Sequence, residues 1–220
     1  REVLPFATLP KGCVGHTALA LEGGMLVGGH SGSGEALWWR HPDASSEDWQ
    51  VVELPKEIRR RGKAIDGLHR WGDRVIAVDD IVVPKWLLLY SVIEGPGLAL
   101  DEMLPLPHHT TYEQVFSTCL GRRLLWCASR GINHGRVSTH IWGVGLPSFK
   151  EAACWSITHR ESPIYATWDE AEVPSPLEST TSVVEWGDGL LVACGQRGLV
   201  RILTSPGDES GRAPNVRPVP

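Results

Sequence analysis

The chain has 220 residues, 42% of them hydrophobic, and 21 Lys and Arg stand against 26 Asp and Glu for a net charge of −5. That hydrophobic content supports a buried core and excludes a disordered chain, and the acidic balance gives no overall attraction to nucleic acid or anionic membranes. The longest apolar run, Ile81 to Tyr90, is broken by Pro84 and Lys85 and falls far short of the roughly 20 residues of a membrane span.

In chain order, 24 Gly and 16 Pro punctuate short apolar runs that are too short for helices and read as strands. One pattern occurs four times: an apolar run, a Gly turn, a second apolar run, a polar loop and a third run. The first unit holds strands at Ala18–Leu21, Met25–Gly28, Ala36–Arg40 and Trp49–Leu54 around Glu22-Gly23-Gly24. The second places them at Ile65–Arg70, Arg74–Val78, Trp86–Val92 and Leu100–Leu106 around Trp71-Gly72-Asp73. The third runs through Glu113–Thr118, Leu124–Ala128, Val137–Trp142 and Ala153–Thr158 around Leu120-Gly121-Arg122. The fourth has Ser182–Trp186, Leu190–Cys194 and Leu199–Leu203 around Trp186-Gly187-Asp188.

Gly24, Gly72, Gly121 and Gly187 are spaced by 48, 49 and 66 residues, and the longer interval reads as the same unit plus a Pro-interrupted, acidic insertion at Pro163–Pro176. Four-stranded units at this period predict an all-β fold, a β-propeller of four-stranded antiparallel blades. The expected organisation is a single propeller domain over 1–220, with blades at 12–55, 63–107, 111–160 and 179–205. Arg1 to Lys11 echoes Trp49 to Lys56, both ending Leu-Pro-Lys, so residues 2–9 are expected to supply the outer strand that closes the fourth blade. The alternative gives that strand to Asn215–Pro220 and makes the chain a segment of a larger ring.

The residues also carry a resemblance to known propellers. Gly189 to Leu203 resembles the middle strands of a WD-repeat, with Leu203 where that family usually has Trp and Thr204 where it has Asp. Leu37-Trp-Trp-Arg-His-Pro-Asp43 through Trp49-Gln-Val-Val-Glu-Leu-Pro55 is similar to blades of sialidase-type and photosystem-assembly-type propellers, which end in a Trp-x-x-Val-x-Leu-Pro phrase.

In such a topology the connections between blades and the loops between second and third strands share one end, and short Gly turns occupy the other. Long polar loops on a rigid scaffold are where binding is expected. The candidate partner contacts on that end are Arg59, Arg60, Arg61, Asp79, Asp80, Lys85, Arg130, His134 and Arg197. Arg59–Arg61 sit in the one dense basic run, and guanidinium groups form bidentate pairs with carboxylate and phosphate. Asp79-Asp80 beside Lys85 suits a cation, an acid–base pair or a capped turn, but adjacent strand residues point to opposite sides, which argues against a shared proton. His108, His109 and His134 fall near one end of the third unit, yet no tight metal-ligand spacing is present, and no metal is expected.

No GxSxG, P-loop or GxGxxG is found, and Gly28 to Gly34 is followed by a strand rather than a phosphate-binding helix, so no cofactor or catalytic residue is assigned. The expected function is a non-enzymatic scaffold or sensor propeller that binds a protein, or another domain of a longer chain, through the loop end. The rival is a small-molecule or carbohydrate enzyme with its site in a central funnel. Five widely spaced cysteines without CxxC point away from a disulfide framework and toward a reducing cytosol. No signal-like segment opens the chain, and residue 1 is Arg, which leaves open an excised or processed fragment.

Overall fold

Each Gly-punctuated pair of apolar runs folds into an antiparallel hairpin, and the hairpins assemble into four separate four-stranded sheets. The structure is a computed structural model that describes residues 8–45, 48–59, 64–79, 85–93, 97–107, 112–133, 136–158, 181–187, 189–194, 198–203 and 215–218. The fold is all-β, a propeller with four antiparallel four-stranded blades in this chain.

The first blade contains β1 (Cys13–Leu21), β2 (Gly24–Ser31), β3 (Leu37–Arg40) and β4 (Gln50–Val51), and a single helical turn, α1 (Lys56–Arg59), leads to the second. The second blade is β5 (Ile65–Trp71), β6 (Arg74–Asp79), β7 (Trp86–Ile93) and β8 (Gly97–Pro105). The third is β9 (Tyr112–Leu120), β10 (Leu124–Asn133), β11 (Arg136–Gly145) and β12 (Glu151–Thr158). The fourth is β13 (Ser182–Trp186), β14 (Gly189–Ala193), β15 (Leu199–Leu203) and β16 (Asn215–Pro218). Strand order follows chain order in every blade.

The outer strand of the fourth blade is therefore β16, which pairs with β15 from Leu203↔Asn215 to Val200↔Pro218. That is the strand the alternative reading assigned to Asn215–Pro220; residues 2–9, also expected there, lie mostly outside the described residues. An edge strand tolerates proline because its outward N–H would have no ladder partner. The insertion expected at 163–176 also lies outside the described residues.

The chain divides into two compact units, Arg1–Leu106 and Pro107–Pro220. In the first, the middle strands are buried on both faces: Val75, Ile76, Ala77 and Val78 of β6 and Leu87, Leu88, Leu89 and Tyr90 of β7 are inaccessible to solvent. Such strands read as continuous apolar runs. Trp38 and Trp39, which must leave opposite sides of β3, are both buried, and Trp39 joins Leu26, Ile58, Ile65, Val75 and Tyr90 in one core. Ile58 anchors α1 in that core, so the basic run is tied down where it begins. In the second unit, Trp126, Ile141, Val183, Leu190, Val192, Val200 and Ile202 form the core.

Three of the Gly turns demand a positive φ: Gly23 at 91°, Gly72 at 62° and Gly187 at 65°. Gly121 is glycine for another reason. A Cβ there would fall inside the Glu185 carboxylate reaching over from β13.

Candidate functional site

The first strand of a blade must alternate to keep one face on its neighbours, and a single extra residue breaks that alternation and re-aims a side chain. β1 carries such a bulge: Gly15 pairs with Gly29 and Thr17 with Gly28, leaving His16 unpaired. β5 repeats it, with Ile65 opposite Asp79, Gly67 opposite Val78, and Asp66 as the extra residue. β9 repeats it again, with Val115 opposite Ser129, Ser117 opposite Ala128, and Phe116 between them. The three bulge residues are 50 apart in sequence, as are the partner positions Gly28, Val78 and Ala128.

In the first unit the bulges bring two blades' polar groups together. The His16 Nδ1–H donates to the Asp66 carboxylate, and His30, two residues beyond Gly28 on β2, sets its Nδ1 2.9 Å from His16 Nε2. An ionised carboxylate only accepts, so His16 carries its proton on Nδ1, presents Nε2 as acceptor, and His30 donates from Nδ1. The imidazole rings meet edge to face with centroids 4.9 Å apart. His16 and Asp66 side chains retain 29% and 15% exposure, so the chain of groups is sheltered but reachable. His16 spends both ring nitrogens on neighbours, which leaves the trio no common metal position, and no ligand cluster of three occurs among the described residues.

Glycine makes this approach possible. A Cβ on Gly28 would lie 2.7 Å from Ile65 Cγ2 and 2.9 Å from the Ile65 carbonyl oxygen, so a side chain here would push β5 away from β2. Gly28 thus serves close strand approach.

A polar turn follows His30. The backbone N–H of Glu35 donates to Ser31 Oγ at 2.9 Å, Ser31 and Ser33 hydroxyls are 2.9 Å apart, and Ser33 donates to Glu35 Oε2 at 3.2 Å. Cys13 pairs with Ser31 across the ladder, and its thiol is raised above the usual range by burial and by the Glu35 carboxylate.

In the third blade the residues around the equivalent bulge are arranged differently. Arg130, exposed on β10, holds its guanidinium 5.6 Å from the centroid of the bulged Phe116 ring. Beneath it, Trp142 Nε1–H donates to Ser129 Oγ at 3.0 Å, and Ser129 donates to the buried Glu113 carboxylate.

Of the residues expected to contact a partner, Arg130 is on the surface and Arg59 ends α1. Asp79 and Lys85 are fully buried, not displayed on a loop, and both interact within the protein. The physical reason is pairing. Asp79 is the last residue of β6 and is fixed opposite Ile65, and a buried charge persists only where neighbours compensate it. Arg60, Arg61, Asp80, His134 and Arg197 lie outside the described residues, as do His108 and His109. His140 is described and buried on β11. His16, His30 and Asp66 could not be joined from the sequence, because the signal, an extra residue every 50 positions at a broken strand alternation, appears only with the register known.

No protein-family model matches the chain, and no curated protein is similar to it.

Proposed function

We propose that this protein is a binding propeller whose blade-connection end docks a partner protein or another domain of a longer chain. The observation that carries this reading is the repeated bulge, which turns His16, Asp66 and Phe116 out of the strand alternation at the end where the polar connections emerge. Bulges of this kind commonly re-aim side chains at functional surfaces. Arg130 on Phe116 offers a flat cation with directed donors, the residue type enriched at interface hot spots. The opposite end holds tight Gly turns. The WD-repeat-like phrasing of the fourth blade agrees with a binding role, and five cysteines without a disulfide suit the reducing cytosol as its compartment.

The test is affinity purification of the full chain from its native source followed by titration of the recovered partner. Arg130→Ala is expected to weaken binding by on the order of 1–2 kcal/mol, roughly 5- to 30-fold. Asp73→Ala, at an exposed Gly turn on the other end, is expected to bind as the wild type does. Loss of the partner by Asp73→Ala with retention by Arg130→Ala overturns the assignment.

A further inference from the structure

We propose that Asp66, His16 and His30 form a proton relay that makes His30 Nε2 a general base for hydrolysis of activated acyl esters, an activity separate from partner docking. His30 Nε2 forms no hydrogen bond among the described residues and is not among their buried unpartnered polar atoms, so it is the open end of the chain. When Nε2 takes a proton, the His30 Nδ1 proton can pass to His16 Nε2 across 2.9 Å, and the positive charge then rests on His16 against the Asp66 carboxylate. The base is recharged by losing that proton to solvent. In the Ser-His-Asp triad a carboxylate likewise orients a histidine and stabilises the imidazolium that forms when it acts as a base.

Water is the nucleophile in this scheme. Its oxygen bonds to the acyl carbon, its proton goes to His30 Nε2, the bond from acyl carbon to leaving oxygen breaks, and an acid and an alcohol result. Burial and the Glu35 carboxylate raise the pKa of the Cys13 thiol, which disfavours a thiolate route. The substrate class follows from the neighbours. The Asp66 carboxylate behind the two imidazoles disfavours phosphoryl dianions, which favours uncharged acyl groups. The Ser33 proton is committed to Glu35, and the Ser31 proton is therefore directed to Ser33. Neither hydroxyl is left to stabilise an oxyanion, so the site suits esters whose leaving group departs readily.

The experiment uses the full chain and p-nitrophenyl acetate. Saturable turnover is expected above the rate of free imidazole at equal histidine concentration. His30→Gln should lower kcat by about a hundredfold, the usual contribution of a general base, with an unchanged melting temperature. Asp66 and His16 act as positioning residues, so Asp66→Asn should lower kcat and leave KM unchanged, and Asp66→Glu should restore part of the loss. His41, an exposed histidine 3.7 Å from Asp43 with no second imidazole bonded to it, is the control, and His41→Gln should leave the rate unchanged. A wild-type rate no greater than that of free imidazole overturns the proposal, as does a His30→Gln variant that keeps the wild-type kcat.

Discussion

At the scale of single residues, one half-buried histidine is expected to contribute to the response to acid. His69 on β5 is held neutral by burial, which lowers its pKa to about 4. The unfolded chain takes up that proton near pH 6.5. Between about pH 6.5 and 4 the unfolded state therefore binds more protons than the folded one, and stability falls as the pH drops, by at most about 1.4 kcal/mol per pH unit. Denaturant midpoints measured at pH 7 and pH 5 are expected to differ in the wild type and to draw together in His69→Gln. A midpoint gap of the same size in both proteins would show that other groups carry the acid response. Tyr90 is pushed the other way, above the usual phenol range, by the same loss of solvent.

At the scale of elements, neighbouring blades are held by specific staples as well as by apolar burial. Glu185 of β13 accepts from the Arg122 backbone N–H at 3.1 Å and from Trp126 Nε1–H at 3.1 Å, tying the fourth blade to the turn of the third. The Val183 N–H donates to Ser117 Oγ at 3.2 Å beside it. Glu185→Ala leaves the Trp126 donor without its acceptor and is expected to cost on the order of 1–3 kcal/mol. Gly121→Ala, which drives a methyl group into the same carboxylate, should cost a similar amount. Thermal melting of both variants checks this, and a double variant that loses no more than Glu185→Ala alone would identify the carboxylate as the reason for the glycine. In the first unit, Gly28→Ala should separate β5 from β2, destabilise by about 1–3 kcal/mol, and abolish the His16–Asp66 hydrogen bond, seen as an altered His16 imidazole NMR spectrum.

At the scale of the whole molecule, the two compact units each bury a core between two blades. Cys127 and Cys194 are both fully buried in the second unit, whereas Cys13 is partly exposed. A thiol reagent is expected to modify Cys13 in the native protein, and to reach Cys127 and Cys194 only at the rate at which the second unit opens. Rapid labelling of either buried thiol in the absence of denaturant contradicts the strand register of that unit. No helix among the described residues is long and apolar enough to cross a membrane.

The sequence by itself determined the class and the count: four Gly turns, three of them near 50 residues apart and the fourth after an insertion, each between β-rich runs, specify four hairpin-based blades because period and turn chemistry are local properties. It also located the middle strands, whose burial on both faces writes itself as unbroken apolar runs such as Val75–Val78. The beginnings of some first strands were less legible. β1 starts at Cys13 rather than Ala18, because Gly15, His16 and Thr17 stand where an apolar run would mark a strand. Only tertiary structure decided that Asp79 and Lys85 go inside and that β16 takes the last edge. It alone brought His16 to Asp66, which lie 50 residues apart and meet because Gly28 lets two strands approach. Side-chain contact across blades depends on register and on close backbone approach, and neither is encoded within the span of a single strand.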